Sequence, residues 1–186
     1  MRFELGLKEQ NIVCESLGRG FQSVVPRKGG IDDFDDADTL QIPKRAFLLL
    51  PARFHDHTEN VQPTFASALA DHLPQKFEGQ FQARYGAVVI RELFLSDKSQ
   101  LVDVEPMQAF TQSILDERFE YRSPGLHVLL LRVYRLRDAI FVPDDERTGG
   151  CRSWIELPEP HATESVPILS DETFAEIESR FDQLAN

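Results

Sequence analysis

The stretch Leu126-His-Val-Leu-Leu-Leu-Arg-Val-Tyr-Arg-Leu136 decides the fold of this chain. Its apolar and β-branched residues predict one long strand through the core. Alternate residues of a strand share a face, which places Arg132 among apolar neighbours. Because an unpaired charge is costly in such surroundings, we expect a partner carboxylate or a bound anion there. Glu92, in the β-rich segment 87–95, is the internal partner that we expect.

The segments on both sides of this strand predict an α+β chain. Residues 11–31 predict a β-hairpin with its turn at 18–20. Two further strands are predicted, a short buried one at 45–50 that Pro51 stops and one at 87–95. A turn at 96–99 follows the second and leads into residues 101–104. The predicted helices cover 63–73, a segment that begins at Pro106, and 170–184 with Ser170 as its N-cap. We therefore predict a single α+β domain over residues 1–186. Its sheet is mixed or antiparallel, open or partly closed, with two or three packing helices.

The charge of the chain is strongly negative and unevenly distributed. A formal net charge of −11, from 31 acidic and 20 basic residues, argues against a generic nucleic-acid coat protein. Residues 118–137 nevertheless hold five arginines and one acid, which is compatible with a local basic surface. Residues 32–38 hold five carboxylates in seven positions, and we expect a solvated, mobile loop there.

The N-terminal segment and the cysteine content are typical of a cytoplasmic protein. Residues 1–8 carry charges within their apolar stretch, unlike the apolar core of a signal peptide. No apolar run approaches the roughly 20 residues that span a bilayer, so we expect no membrane association. The two cysteines, Cys14 and Cys151, provide neither a disulfide framework nor a cysteine-rich zinc site. We expect no cofactor and no bound metal.

The segment Arg27-Lys28-Gly29-Gly30 is the first candidate binding segment. Two cations beside two glycines at a strand end can present side-chain charge and backbone N–H groups to an anion. The spacing is not that of a phosphate-binding P-loop. A tight turn whose basic residues face the acidic loop is the alternative.

The segment Arg53-Phe54-His55-Asp56-His57 is the second candidate, because loops after strands often carry functional side chains. Arg53 and His57 would contact a ligand, or His57 would act as a general base. A metal bound by His55 and His57 would need further ligands from elsewhere. Ordinary surface histidines are the remaining alternative.

Segment 149–154 holds Cys151 and Trp154, one of two cysteines and the single tryptophan of the chain. A nucleophilic cysteine needs a nearby base, and every candidate histidine is distant in sequence. We therefore expect a structural role, in which Cys151 packs beside a buried Trp154.

Five motifs occur in order along nearly the whole chain. They are Leu7-Lys8-Glu9, Arg27-Lys28-Gly29-Gly30-Ile31, Phe47-Leu-Leu-Leu-Pro51 followed by His57, Leu129-Leu-Leu-Arg-Val-Tyr-Arg-Leu136, and Gly150-Cys151-Arg-Ser-Trp154. The set resembles a bacterial protein family that is known as a domain of unknown function. Gln10 stands where that family typically has a tryptophan, and Leu50-Pro51-Ala52 replaces its Phe-Pro-Thr. The resemblance implies the fold and its boundaries and brings no established activity.

These observations lead to three functional hypotheses, of which a binding module for an anionic ligand is favoured. The ligand would be a nucleotide or a nucleic-acid phosphate. Its predicted ligand residues are Arg27, Lys28, Gly29, Gly30, Arg53, His57, Arg118, Arg122 and Arg132. The second hypothesis is a hydrolytic or transfer enzyme with His57 as the general base. The third is a protein-interaction domain that docks through the C-terminal helix stripe of Phe174, Ile177 and Phe181.

Overall fold

The computed structural model describes residues 1–28, 46–52, 60–69, 78–148 and 153–185. The strands are β1 (Arg2–Gln10), β2 (Val24–Arg27), β3 (Phe47–Ala52), β4 (Gln80–Leu95), β5 (Leu126–Pro143), β6 (Trp154–Ala162) and β7 (Ser165–Pro167). The helices are α1 (Asn11–Gly18), α2 (Pro63–Leu69), α3 (Leu101–Val104), α4 (Gln112–Glu120) and α5 (Asp171–Gln183). The chain is thus an α+β domain, as predicted.

The seven strands form one mixed sheet. Six of them lie in the order β2-β5-β4-β3-β1-β6, and β7 pairs with residues 134–136 of β5. The pairing of β1 with β3 is parallel, whereas the other pairings among the described strands are antiparallel. β5 lies beside β4 along nearly its whole length. The predicted strands at 126–136 and 87–95 are confirmed as parts of β5 and β4, and residues 47–50 of the predicted strand at 45–50 lie in β3. Pro51 does not stop its strand, because β3 continues through it to Ala52.

The predicted hairpin over residues 11–31 is wrong. Residues 11–18 form α1, and every residue of this helix is buried. The helix has only eight residues, and a short apolar run such as Ile12-Val13-Cys14 fits a buried strand as well as a helix. Gly18 serves close packing rather than a turn, since a Cβ at this position would overlap the ring of Tyr85. The following strand, β2, pairs with β5 instead of folding back on residues 11–17.

The segment between β4 and β5 is helical but does not form the helix predicted to begin at Pro106. Residues Lys98–Gln100 form a 3₁₀ turn, and residues 101–104 form the short α3. Pro106 lies in a second 3₁₀ turn, Glu105–Met107, which ends at Gln108 with an extended backbone. The side chain of Gln108 bonds to the backbone N–H and carbonyl of Phe110, which stabilises this break before α4.

The two remaining helical predictions agree with the described structure. α2 begins at Pro63, and its described part ends at Leu69. α5 begins after Ser170, whose side chain accepts a hydrogen bond from the Thr173 backbone N–H as an N-cap does. Its apolar stripe is buried, with Phe174 and Phe181 packed against apolar residues of β5. This burial argues against a docking role for the stripe.

The core of the described residues contains three apolar clusters, and the largest lies between α1 and one face of the sheet. It joins α1 to residues of β1, β3, β4 and β5, and it includes Trp154 at the start of β6. Trp154 and Phe47 meet edge to face, with ring centroids 4.9 Å apart. Among the described residues, no helix has the length and apolar composition that a membrane span requires.

Candidate functional site

Arg132 has a carboxylate partner, as predicted, but that partner is Asp171 and not Glu92. Its guanidinium lies 2.6 Å from Asp171 Oδ1 and donates to the carbonyl oxygens of Leu169 and Ser170. The predicted Glu92 pair is wrong because the β4–β5 register places Val88 opposite Arg132 and Leu129 opposite Glu92. Leu129 and Arg132 are an odd number of residues apart, so Arg132 and Glu92 extend from opposite faces of the sheet. Arg132 therefore anchors the N-terminal end of α5.

Glu92 pairs instead with His127. His127 Nδ1 lies 2.5 Å from Glu92 Oε1, and the Glu92 side chain is almost completely buried. The other carboxylate oxygen, Oε2, has no hydrogen-bond partner among the described residues. A carboxylate at Nδ1 fixes the orientation of the imidazole.

Lys28 stabilises the end of α4. Its Nζ donates to the carbonyl oxygens of Phe119 and Gly125, each at 2.8 Å, and to that of Ser123. Carbonyls at a helix C-terminus lack intrahelical partners, so a lysine there supplies the missing donors. The three N–H groups of Lys28 are thereby occupied within the protein.

Arg27 extends from the end of β2 toward Glu9 on β1. Arg27 Nη1 lies 3.2 Å from Glu9 Oε2, and each side chain is 8% exposed. The Arg27 guanidinium also lies 5.8 Å from the centre of the Trp154 ring. β5, β4 and β3 lie between β2 and β1 in the sheet, so this contact requires the sheet to curl until β2 approaches β1.

Arg118 brings a second guanidinium to this ion pair. Its Nη1 donates to the Pro26 carbonyl at 2.9 Å, and its guanidinium lies 4.0 Å from the centre of the Phe110 ring. Burial lowers the pKa of Arg118 below its ordinary value; the charge of Glu9 raises it, and that of Arg27 lowers it further. We refer to Glu9, Arg27, Arg118 and Trp154 as the polar cluster.

Two buried donors of the polar cluster have no hydrogen-bond partner in the part of the chain that the structure describes. They are Arg27 Nε and Trp154 Nε1. Buried polar atoms are nearly always paired in folded proteins, so two unpaired donors on neighbouring side chains are a feature that needs an explanation.

The polar cluster is also where four of the five sequence motifs meet. Glu9 and Arg27 supply two of them, and Phe47 and Trp154, which touch, supply two more. The Lys8 backbone N–H donates to the Ser153 carbonyl at 2.7 Å, which joins the first motif to the last. The fifth motif forms the middle of β5, where Arg132 anchors α5.

The predicted site residues do not all lie together in the structure. Arg27 and Arg118 come together, whereas Lys28 and Arg132 are bound to other parts of the protein. Arg122 is exposed and has a positive φ of 63°.

Several predicted positions lie outside the described residues. These are Gly29, Gly30, Arg53, His57 and Cys151, together with the acidic segment 32–38.

Sequence reasoning missed Glu9, which is the charge partner of Arg27. The available signal was a glutamate near the end of the apolar segment 3–7 and within a recognised motif.

Reasoning from the sequence also missed Glu15, a buried carboxylate on α1. Glu15 binds Arg84, and its other oxygen lies 3.5 Å from Tyr85 Oη. Both contacts join α1 to β4.

The chain belongs to the family described as Domain of unknown function (DUF1802), whose model matches residues 6–180. No curated protein matches the sequence. Among solved structures, the fold is similar to that of ZmASCH from Zymomonas mobilis, with 12% identity and a TM-score of 0.46 over 95% of this chain and 94% of that chain. A point mutant of ZmASCH gives 10% identity and a TM-score of 0.47 over 95% and 96% of the two chains.

Proposed function

We propose that this member of the DUF1802 family binds an anionic ligand, a nucleotide or a nucleic-acid phosphate, at the polar cluster. The observation that carries the proposal is the pair of buried donors, Arg27 Nε and Trp154 Nε1, which lack partners among the described residues. An anion that accepts from both would satisfy them. Arginine and tryptophan N–H groups donate and never accept, so their natural partner is an acceptor.

The charge of the polar cluster supports the same conclusion. Two guanidiniums face one carboxylate, so Glu9 leaves one positive charge uncompensated among these three groups. A charge removed from water is costly unless it is paired, and a bound anion would pair it. Guanidiniums suit phosphate because their planar N–H groups match its oxygens in a two-pronged arrangement.

The test is calorimetric titration of the full chain with adenosine monophosphate and with pyrophosphate. Arg27→Lys keeps the charge but removes Nε and the planar fork, and we expect it to weaken binding of both probes at least tenfold. Arg137→Lys is the matched control, because Arg137 lies on β5 in an exposed ion pair with Glu164. A folded Arg27→Lys variant that binds both probes as the parent does would show that the proposal is wrong.

A thermal-shift experiment provides a second readout for the same proposal. A ligand that binds the folded state alone at about 100 times its Kd adds about 2.7 kcal/mol of stability. We expect this shift in the parent and in Arg137→Lys, and its loss in Arg27→Lys.

The enzymatic hypothesis, with His57 as a general base, stays a prediction because His57 lies outside the described residues. Full turnover by a His57→Ala variant on a substrate of the parent would remove it.

A further inference from the structure

Arg27, His127 and Phe94 occupy one row across three neighbouring strands. Arg27 on β2 lies opposite His127 on β5, and His127 lies opposite Phe94 on β4. Directly opposed residues of antiparallel strands extend from the same face, and adjacent strands are about 4.8 Å apart. A guanidinium, an imidazole and a phenyl ring therefore follow one another at one-strand spacing on one face.

Phe94 is exposed although it is a large apolar residue. Its side chain is 56% exposed, and its ring centre lies 4.9 Å from that of His127. On the other side the ring packs against Gly125, where a Cβ would overlap it. The glycine and the histidine therefore hold the ring in place while much of its surface remains open to solvent.

A second exposed aromatic residue lies in the turn after α4. Tyr121 is 58% exposed, and the Arg122 guanidinium lies 5.2 Å from the centre of its ring. Lys28 bonds to the carbonyls of Ser123 and Gly125 in the same turn, which ties this turn to the end of β2. We refer to Phe94, Tyr121, Arg122 and His127 as the aromatic surface.

The geometry points to the aromatic surface as a binding site for single-stranded nucleic acid, with unpaired bases stacked on Phe94 and Tyr121 and the backbone directed toward the polar cluster. This inference rests on the proposed function and names the ligand class of the same site. Exposed aromatic rings beside basic groups are the arrangement by which proteins bind single strands, because every unpaired base offers a flat face. Bases in a duplex are stacked on one another and offer none.

The charge at this place favours a polyanion over an apolar protein segment. The exposed Arg122 guanidinium lies beside the Tyr121 ring, and the acid that precedes this turn, Glu120, pairs with Lys98. Glu92 is buried against His127, so it presents almost no negative charge to solvent.

The experiment measures fluorescence anisotropy of a fluorescein-labelled deoxythymidine decamer titrated with the full chain. Phe94→Ala removes one stacking ring, and stacking on a ring is worth about 1–3 kcal/mol per base, so we expect binding about 5- to 150-fold weaker. Phe94→Leu keeps an apolar contact and should weaken binding nearly as much. Phe21→Ala is the matched control, because Phe21 is 50% exposed and precedes β2 at the end away from Arg27.

Pyrophosphate titrations separate this inference from the proposed function. We expect Phe94→Ala to bind pyrophosphate as the parent does, whereas Arg27→Lys should lose both pyrophosphate and the decamer. Decamer binding that is unchanged in Phe94→Ala would overturn the aromatic surface and leave the polar cluster intact. A parent that binds pyrophosphate but not the decamer, or that binds duplex as tightly as single strand, would overturn it as well.

Discussion

Glu9 on β1 and Arg27 on β2 form a buried ion pair of 3.2 Å although three strands separate β1 from β2 in the sheet. The pair joins the edge strand β2 to β1, which neighbours the opposite edge strand β6, across a curled sheet. It also orients Arg27 beside Trp154 and Arg118, where the proposed anion would bind. One contact thus contributes both to the closure of the fold and to the geometry of the site.

Removing one partner of this pair should destabilise the protein strongly. We expect Glu9→Ala to cost about 3–5 kcal/mol, because it leaves the buried Arg27 charge without its carboxylate. The double variant Glu9→Leu with Arg27→Met should recover much of that loss. Urea denaturation measures both. Glu164→Ala, which breaks the exposed pair with Arg137, is the control and should cost less than about 1 kcal/mol.

The packing of Gly18 against Tyr85 predicts a coupled pair of substitutions. Gly18→Ala should cost about 1–3 kcal/mol, because its methyl group overlaps the Tyr85 ring. The same change in a Tyr85→Leu background should cost less, since the smaller side chain makes room. Thermal or urea unfolding of the four proteins in this cycle gives the coupling energy, and simple additivity would show that the two residues do not meet as described.

Lys28 should matter for stability. Lys28→Met removes the donors to three carbonyls at the end of α4, and we expect a loss of about 1.5–3 kcal/mol in the free energy of unfolding. Lys98→Met is the control, because the ion pairs of Lys98 are exposed. A variant at Lys28 that keeps full stability but loses pyrophosphate binding would assign this lysine to the ligand instead.

Tyr85 should make stability depend on pH in the alkaline range. Burial and the charge of Glu15 raise the pKa of Tyr85 above its ordinary value of 10.0. The unfolded chain therefore loses this phenolic proton first as pH rises, so the folded state binds more protons and stability falls with pH. The loss begins as pH passes about 10, the pKa of an unperturbed tyrosine, and continues through the folded-state value.

The measurement for Tyr85 is urea unfolding between pH 8 and 11 in the parent and in Tyr85→Phe. We expect a smaller alkaline decline in the variant, because phenylalanine has no proton to lose. The exposed Tyr121 provides a control, and Tyr121→Phe should decline as the parent does. An identical decline in all three proteins would contradict the raised pKa.

Local sequence patterns predicted two kinds of element, those that bury one face and those that consist of a long apolar run. β5 was evident because its apolar run is long, and α5 was evident because Ser170 caps it and its apolar residues recur at helical spacing. The pattern did not reveal α1, because an eight-residue helix with the short apolar run 12–14 is too short to be distinguished from a strand. The break before α4 depends on the side chain of Gln108, a contact that no local pattern indicates.

The sequence by itself determined the α+β class, the long central strand and the need of Arg132 for a carboxylate or a bound anion, because these follow from burial and from the cost of an unpaired charge. It also singled out Arg27 and Arg118. Only the tertiary structure decided which partners meet, since strand register sent Glu92 to His127 and left Arg132 to Asp171. The curl of the sheet likewise brought Glu9, 18 residues away in sequence, to Arg27. Such contacts depend on the pairing of strands that are distant in sequence and on the curl of the sheet. The residues that surround each partner in the sequence do not indicate them.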